Sequence, residues 1–370
     1  MIILITGSKG FIGRNLMLRL GEVGHRDILE IEADSSKEAL QEAVHKADVV
    51  FHLAGVNRPT DPAEFATGNA GFTGQLCEAL AATGRSIPVI FSSSIQAALD
   101  NPYGLSKRQA EGVLHDYAST TGASVHLFRL ANVFGKWSRP NYNSAVATFC
   151  HNVARALPIT IHDPSAPLRL VYIDDVIDAF LRLLSSPPPS SGFLEAGPVF
   201  ETTVGEVAGL IRSFPKNRIS LAAPQAGSGL VRALYATYLS HLPPEHFDYQ
   251  VPRHVDLRGE FAEMLKTHDC GQFSYFTAHP GITRGDHYHH TKTEKFLVVR
   301  GTARFEFRHM DTGQIHTLTV PGGEGRIVET VPGWTHNIAN IGQDELIVML
   351  WANEAFDRAR PDTIPMKVIP

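Results

Sequence analysis

The stretch that decides the C-terminal fold is Gly281-Ile-Thr-Arg-Gly-Asp-His287-Tyr-His289-His-Thr-Lys-Thr-Glu294-Lys-Phe-Leu-Val-Val-Arg-Gly301. Side chains alternate along a strand, so His287 and His289 are expected to point to the same face. A predicted turn at residues 291–293 leads into a second strand, which Glu294 opens and which is rich in valine, leucine and phenylalanine. Two imidazoles and a carboxylate are therefore expected to converge, and this ligand set suits zinc, iron or another divalent transition metal.

Another histidine follows in the segment Pro332-Gly-Trp-Thr-His336-Asn-Ile-Ala-Asn340. The spacing G-x5-H-x-H-x4-E-x6-G resembles the first motif of the cupins, small β-barrels that hold a metal in their mouth. The later segment resembles most of their second motif, although the residue that usually separates the proline from the glycine is missing. The resemblance implies one divalent metal, expected to be zinc, with the ligands His287, His289, Glu294 and His336. The alternative is that these are surface histidines of an ordinary sheet.

The role of His287 stays open at this stage. The segment Arg284-Gly-Asp-His287 is similar to the one that carries the base in metal-free sugar epimerases of the cupin fold. His287 is thus a ligand, a base or neither. His290 and Lys292 are weaker candidates for an acid or base, and we expect them to be exposed turn residues. A purely structural metal is a further alternative.

Length and composition indicate a soluble protein of two domains. The chain has 370 residues, 43% hydrophobic and 19% charged, which is long for one average domain. A net charge of −5 gives no basic surface, so neither nucleic acid nor an anionic membrane is an expected partner. Cys77, Cys150 and Cys270 are odd in number and widely spaced, which argues against a disulfide framework. Without a leader or a spanning apolar run, we expect a cytoplasmic protein.

The N-terminus predicts a nucleotide-binding unit. The apolar strand Met1–Thr6 is followed by Gly7-Ser-Lys-Gly10-Phe11-Ile12-Gly13 and by helical periodicity over residues 14–20. Glycines in this setting let the backbone approach a pyrophosphate at the positive end of a helix. The spacing G-x2-G-x2-G is similar to that of the extended short-chain dehydrogenase/reductases. The predicted cofactor-binding residues are Gly7, Gly10, Phe11, Ile12, Gly13, the strand end Leu53, Ala54 and Gly55, and Tyr103 and Lys107.

The end of the second predicted strand, Ile28 to Ala33, bears on the choice of cofactor. An acidic side chain there binds the ribose 2′-hydroxyl of NAD, whereas a nearby cation accepts the 2′-phosphate of NADP. Glu32 and Asp34 favour the former, while Lys9, Arg14 and Lys37 are available for the latter. These residues leave both NADPH and NADH open. Repeated βα units with short connections predict an α/β Rossmann-type doubly wound sheet.

The catalytic hydroxyls and amine are predicted near the fourth strand. Tyr103 and Lys107 are four residues apart on a predicted helix and so lie on one face. They resemble the catalytic pair of the short-chain reductases, with Ser94 as the active-site hydroxyl and Ser93 as the alternative. In that family tyrosine gives a proton to the carbonyl oxygen and lysine binds the nicotinamide ribose. An adjacent buried ammonium is also expected to lower the tyrosine pKa from about 10.

Later segments resemble extended reductases that act on nucleotide-linked sugars. These segments are Arg129–Gly135 and Leu170–Val176. Nearby polar residues are substrate-contact candidates or ordinary solvated residues: Arg139, Asn141, Asn143 and Arg169. The dehydratase branch carries Asp and Glu after the active-site hydroxyl, whereas Ile95 and Gln96 stand here, which disfavours dehydration.

The segment His241–Pro252 has three prolines and little periodicity, so it is predicted to be a linker. Strand and hairpin signals follow it. We therefore predict an extended reductase domain over residues 1–243 and an all-β cupin barrel over residues 244–370.

The whole chain resembles the bifunctional epimerase–reductases of bacterial capsular and O-antigen polysaccharide synthesis. The resemblance implies a UDP-linked 4-keto-6-deoxy amino sugar, C3 epimerisation in the barrel and then C4 reduction with NADPH. The implied product is UDP-2-acetamido-2,6-dideoxy-L-talose, a precursor of N-acetyl-L-fucosamine. One alternative is a sugar-nucleotide reductase or 4-epimerase with a structural, dimerising barrel, and another is a non-enzymatic nicotinamide sensor. Apolar barrel surfaces favour a homodimer.

Overall fold

The structure is a computed structural model that describes residues 1–188, 190–252, 254–256, 259–261, 264–265, 271–354 and 359–370, with only the backbone of 254–256 and 259–261. The described residues form two compact units. The first contains Met1–Phe134 and Leu168–Glu201, and the second contains Gly135–Pro167 and Thr202–Pro370.

The first unit is built on a six-stranded parallel sheet with the strand order β2-β1-β3-β4-β5-β8. Every residue of β1 and β3 is buried, as expected for strands covered on both faces. In chain order the elements up to residue 203 are β1 (Ile3–Thr6), α1 (Phe11–Glu22), β2 (Ile28–Ile31), α2 (Lys37–Lys46), β3 (Val49–His52), α3 (Ala63–Phe65), α4 (Phe72–Ala82), β4 (Val89–Ser94), α5 (Pro102–Thr121), β5 (Val125–Leu130), β6 (Asn132–Phe134), α6 (Ala145–Ala154, in the second unit), β7 (Pro167–Tyr172), α7 (Ile173–Ser185), β8 (Gly192–Phe193) and β9 (Val199–Thr203). This arrangement confirms the predicted Rossmann-type sheet.

Local signals set the helix that carries the predicted catalytic pair. Helix α5 begins after Asn101, whose side chain accepts a hydrogen bond from the Gly104 N–H, and Pro102 occupies its first turn. It ends at Gly122, which adopts a left-handed conformation with φ 72°. Asparagine at the N-cap, proline in the first turn and glycine at the C-terminus are the residues that favour these positions.

The second unit contains the predicted barrel. Two five-stranded antiparallel sheets have the orders β10-β18-β15-β20-β13 and β17-β16-β19-β14-β21. The remaining elements are α8 (Val204–Ser220), α9 (Gly229–Ser240), β10 (Asp248–Gln250), β11 (His254–Asp256), β12 (Gly259–Phe261), β13 (Gln272–Ala278), β14 (Thr283–Tyr288), β15 (Glu294–Arg300), β16 (Thr302–His309), β17 (Ile315–Pro321), β18 (Arg326–Glu329), β19 (Trp334–Asn340), β20 (Leu346–Ala352) and β21 (Ile364–Pro365). The all-β cupin fold of the C-terminal part is confirmed.

The predicted linker is not a free connection. Strand β10 lies inside it and pairs with β18, and Phe247 and Val251 are buried. Its prolines flank the strand and leave the backbone N–H groups of β10 free for the sheet. Helix α8 also contacts the barrel, because the Arg218 guanidinium pairs with the Glu329 carboxylate. The compact units therefore divide the chain differently from the 243/244 boundary, which stays a prediction.

Two of the three cysteines lie in the described part of the chain. Cys77 and Cys150 are buried free thiols, whereas Cys270 lies outside the described residues. Within the described residues, no helix combines the length and the apolar character needed to cross a bilayer.

Candidate functional site

The glycine-rich loop has the close contacts that phosphate binding requires. Gly7 has φ +75°, and a Cβ there would lie 2.8 Å from the Ala54 backbone, while a Cβ on Gly13 would lie 2.3 Å from the Gly7 carbonyl oxygen. Gly10 precedes α1 and makes no side-chain cap, so the first N–H groups of the helix stay available to a ligand. Phe11 and Ile12 are the first residues of this helix. Side chains at Gly7 and Gly13 would therefore collide with neighbouring backbone.

The neighbouring strand ends complete this edge of the sheet. The backbone N–H of Leu53 donates to the Thr6 carbonyl, and that of Ala54 donates to the Thr6 hydroxyl at 3.2 Å. At the end of β2, a Glu32 carboxylate oxygen accepts from the Lys9 backbone N–H at 3.0 Å and lies 2.5 Å from the Ser8 hydroxyl. Glu32 therefore contacts the glycine-rich loop itself.

The hydroxyls of the two candidate serines, Ser93 and Ser94, have different partners. The buried Ser93 hydroxyl donates to the Glu111 carboxylate at 2.5 Å. The Ser94 hydroxyl instead interacts with the Tyr103 phenol and favours a lower pKa for it. Lys107 is buried one turn along α5, where its ammonium donates to the Ser92 carbonyl at 3.1 Å. The expected arrangement of a serine, a tyrosine and a lysine therefore assembles around Ser94.

The expected lowering of the tyrosine pKa is wrong for this protein without cofactor. Burial raises the pKa of Tyr103, and the neighbouring Ser94 hydroxyl only partly offsets this rise. Burial also lowers the pKa of Lys107 to about 8, although the Glu111 carboxylate opposes this change. The phenol therefore keeps its proton at neutral pH, which suits an acid that protonates a carbonyl oxygen.

Two polar residues of this site were missed from the sequence. Asn69 is buried in a π-helical turn over residues 66–71. Its side-chain oxygen accepts a hydrogen bond from the Val56 N–H, and its side-chain NH₂ donates to the Val56 carbonyl and to the Ser106 hydroxyl. Glu111 accepts two hydrogen bonds from Arg129, at 3.0 and 2.6 Å. Glu111 stands four residues after Lys107 on α5, and this helical spacing was the one signal that the sequence offered for it.

Four side chains in the barrel form a group with the composition of a metal site. One ligand atom from each of His287, His289, Glu294 and His336 lies within 4.8 Å of the others. His287 is opposite His336 in the pairing of β14 with β19, whereas Glu294 opens β15 in the other sheet. The ligand atoms thus come from both sheets. Among the described residues, this is the one His/Cys/Asp/Glu group close enough to hold a metal ion.

The donor chemistry of this group fits a divalent transition metal. Neither ring nitrogen of His336 has a hydrogen-bond partner in the described part of the chain, although the ring is buried. Its Nε2 lies 3.6 Å from Glu294 Oε2, and His289 Nε2 lies 3.0 Å from the same oxygen. Burial and the neighbouring His336 and His289 lower the pKa of His287 to about 3, so that ring is neutral at physiological pH. Imidazole nitrogens and a carboxylate are ligands that such a metal uses.

The loop between β14 and β15 is more buried than the sequence predicted. His290 and Lys292 were expected to be exposed, but both are buried. The Lys292 ammonium lies 2.8 Å from Glu294 Oε1. The other oxygen of this carboxylate, Oε2, faces the histidines. Burial favours a neutral carboxyl, but His289 and Lys292 hold the pKa of Glu294 well below its ordinary value. The loop is buried because it folds inward against the C-terminal residues.

The four substrate-contact candidates stay predictions. Arg139, Asn141, Asn143 and Arg169 are all exposed. The Arg139 guanidinium stacks on the Tyr142 ring at 5.0 Å, and Arg169 lies 3.5 Å from a Glu201 carboxylate oxygen.

Two parts of the chain each match the model of a known family or domain. Residues 3–191 match the NAD dependent epimerase/dehydratase family, and residues 254–364 match the polysaccharide biosynthesis C-terminal domain. A Pseudomonas aeruginosa protein, UDP-2-acetamido-2,6-beta-L-arabino-hexul-4-ose reductase, is 54% identical over 368 residues, covering 100% of this chain and 99% of that one.

Solved structures agree with these matches. The capsular polysaccharide assembling protein CapF from Staphylococcus aureus is 41% identical, with 100% of both chains covered and a TM-score of 0.69. The UDP-glucose 4-epimerase of Thermotoga maritima, solved with UDP-glucose, is 25% identical over 58% of this chain and 83% of that one, with a TM-score of 0.53. With its glycine-rich loop, its serine, tyrosine and lysine, and its C-terminal barrel, the chain belongs to the NAD dependent epimerase/dehydratase family and carries the polysaccharide biosynthesis C-terminal domain.

Proposed function

We propose that this protein is a bifunctional sugar-nucleotide enzyme. The barrel epimerises C3 of a UDP-linked 4-keto-2-acetamido-2,6-dideoxy sugar, and the Rossmann unit then reduces C4 to give UDP-2-acetamido-2,6-dideoxy-L-talose. The observation that carries the proposal is the 54% identity along the whole chain to a relative named as a hexul-4-ose reductase. The product would serve N-acetyl-L-fucosamine and surface polysaccharide synthesis.

The order of the two reactions follows from carbonyl chemistry. A proton at C3 is acidic only while C4 is a ketone, and reduction of C4 removes that activation. Epimerisation must therefore precede reduction. When bound, a reduced nicotinamide supplies the hydride and a divalent metal, proposed to be zinc, polarises a sugar oxygen.

In the reduction, Tyr103 donates its phenolic proton to the C4 oxygen and Ser94 holds that oxygen. Support comes from the interaction of Ser94 with the Tyr103 phenol and from the raised pKa of Tyr103, which keeps the phenol protonated. Lys107 is held between the Ser92 carbonyl and the ring of Phe91, whose centroid lies 4.8 Å from the ammonium. A cation fixed at this place orients the cofactor ribose. The Asn69 side chain bonds to Val56, which follows β3, and to Ser106 on α5, and so holds this loop against the helix.

In the epimerisation, the residues proposed to hold the metal are His287, His289, Glu294 and His336. Lys292 is the candidate to hold a proton beside them, because it is buried and ion-paired with Glu294. His287 is proposed as a ligand because it lies in the same group as the other three.

NADPH is the hydride donor that the family resemblance implies, and NADH is the alternative. Glu32 favours the alternative, because its carboxylate stands at the end of β2 against the glycine-rich loop, where it would accept a ribose hydroxyl and repel a 2′-phosphate. The ratio of kcat/KM with the two cofactors decides between them.

A homodimer in the cytoplasm is part of the same proposal. Phe273, Tyr275 and Met349 are exposed apolar residues on the paired strands β13 and β20. The buried thiols Cys77 and Cys150 are unpaired, as is usual in a reducing compartment. Light scattering at several concentrations measures the oligomeric state.

The deciding experiment incubates the purified chain with the UDP-linked 4-keto sugar in deuterated water. With zinc and without a nicotinamide, we expect the C3 proton to be replaced by deuterium while C4 stays a ketone. Addition of NADPH or NADH should then give the C4 alcohol, which NMR of the product identifies.

Each reaction has its own contrary result. Reduction without any C3 exchange would make the barrel a structural or dimerising module and leave a reductase alone. Interconversion of two C4 alcohols without net use of cofactor would indicate a 4-epimerase instead. Nicotinamide binding without turnover of any UDP-sugar would favour a sensor.

A further inference from the structure

We propose that the C-terminal segment, residues 359–370, is part of the metal centre, and that Asp362 sets the metal affinity by fixing the loop that contains His289. The inference rests on the proposed metal site and adds a positioning residue to it. Asp362 itself is outside the group of four candidate ligands.

The Asp362 carboxylate binds the loop that follows His289 through several hydrogen bonds. One of its oxygens accepts from the His290 backbone N–H at 2.8 Å. The other accepts from the backbone N–H groups of Thr291 and Lys292, at 2.7 and 2.8 Å, and from the Thr291 hydroxyl at 3.0 Å. Three successive N–H groups directed at one carboxylate define the backbone path between His289 and Glu294. A neutral or shorter side chain at position 362 cannot satisfy all of these donors.

The backbone of the same residue orients His289. Its carbonyl oxygen lies 2.5 Å from His289 Nδ1, and a carbonyl only accepts, so Nδ1 carries a proton in this contact. The other ring nitrogen, Nε2, faces Glu294 Oε2 at 3.0 Å and is the atom left to bind a metal when the ring is neutral. A carbonyl that fixes the tautomer and ring orientation of a histidine is a recurrent feature around metal ligands.

The residues after Asp362 contact the strands that carry two further ligands. Strand β21 pairs with β14 at His287 and Tyr288. The Met366 carbonyl accepts from the hydroxyl of Thr335, the residue before His336. The Arg308 guanidinium donates to the carbonyls of Lys367 and Val368 at 2.8 and 2.7 Å. The segment is therefore held independently of the metal and can act as a fixed support for the ligands.

The contacts predict that a change at Asp362 weakens zinc binding by about 10- to 100-fold, the range typical of residues that orient metal ligands. The variants are Asp362→Asn, which keeps the size and loses the charge, and Asp362→Ala. Asp344→Asn is the matched control, because Asp344 is exposed in a turn of the same barrel. Apo protein is titrated with zinc in competition with a chromophoric chelator. Thermal unfolding of each protein is then measured with and without zinc.

We expect both Asp362 variants to bind zinc at least about tenfold more weakly and the control to bind like the wild type. The Tm increase caused by zinc should shrink in the variants, because it depends on the Kd. A merely structural role would lower the Tm with and without zinc by the same amount and leave the Kd unchanged, which would overturn the proposal. If Asp362→Ala does not fold, the Kd of Asp362→Asn decides. A wild type that binds no zinc would overturn the metal site of the proposed function and this inference with it, whereas equal binding by wild type and variants overturns this inference alone.

Discussion

Replacement of Glu111 by glutamine should lower the pH above which the rate of C4 reduction falls, called here the high-pH limit. Lys107 has a pKa lowered by burial to about 8, and the Glu111 carboxylate is the charge that counteracts the lowering. The other groups facing Lys107 are the Phe91 ring of β4 and His52 of β3, whose own pKa of about 3 leaves it neutral. Reduction requires the charged ammonium, so the rate should fall as pH rises through the Lys107 pKa.

The size of the shift follows from Coulomb's law. Side chains four residues apart on a helix have Cβ atoms about 5–6 Å apart. Two unit charges about 6 Å apart interact by about 3 kcal/mol at an effective dielectric constant of about 20, which corresponds to about two pKa units. Arg129 pairs with Glu111 at 2.6 Å and offsets part of its field at Lys107. We therefore expect the limit to move down by about one pH unit.

The assay is kcat/KM for reduction of the 4-keto sugar between about pH 6 and pH 10, a range that brackets the pKa of Lys107. Asp116→Asn is the matched control, since it removes a carboxylate from the exposed face of the same helix. An unmoved limit in a folded Glu111→Gln protein, or a shift to higher pH, would refute the assignment of this limit to Lys107.

Three further predictions concern the acid, the metal and the stability of the second unit. Tyr103→Phe should lower kcat for reduction by about 100-fold or more and leave the cofactor Kd within a few fold, because the phenolic proton is needed in the transition state. His289→Ala and His336→Ala should each lose bound zinc by metal analysis, and wild-type occupancy should fall at low pH because protons compete for the imidazoles. Glu329→Gln should lower the free energy of unfolding by about 3–5 kcal/mol in denaturant titration, because it leaves the buried Lys295 cation and the half-buried Arg218 cation without their carboxylate.

The controls for these predictions come from exposed positions of the same barrel. His279→Ala removes an exposed histidine and should keep full zinc occupancy. Glu345→Gln removes an exposed carboxylate and should leave stability within about 0.5 kcal/mol. Wild-type turnover by Tyr103→Phe, or full occupancy in both histidine variants, contradicts the corresponding role.

The pH dependence of the Glu329 contribution has a definite sign. Burial favours the neutral carboxyl, but Arg218 and Lys295 lower the pKa of Glu329 below its ordinary value. The stabilisation is therefore present above the unfolded pKa of a glutamate and is lost as pH falls through the lower, folded pKa. Wild type and Glu329→Gln should thus differ most near neutral pH and converge in acid.

Packing of the helices on the barrel changes how the C3 reaction is tested. A fragment containing only the predicted barrel domain, residues 244–370, would be the simplest protein in which to test this reaction. Such a fragment lacks Arg218, which pairs with Glu329, and Arg232, which pairs with Glu354 at 2.8 Å. The exchange experiment therefore uses the full chain, with Tyr103→Phe to separate exchange from reduction.

The sequence by itself determined the features that depend on local backbone geometry. Gly7 and Gly13 are required by a turn within one strand–helix unit, Tyr103 and Lys107 share a helix face, and His287 and His289 share a strand face. The relations on the helix and on the strand follow from periods of 3.6 and 2.0 residues, which a sequence displays directly. The two folds and their order along the chain could be predicted because the motifs of each half resemble those of known families.

Only the tertiary structure decided which side chains are buried and which distant residues meet. It distinguished Ser94 from Ser93, placed Asn69 and Glu111 beside the reductase site, and brought Asp362 to the loop after His289. It also reversed the expected shift of the Tyr103 pKa and buried Lys292. Burial and long-range hydrogen bonds depend on how whole elements pack, and no periodicity along the chain records that packing.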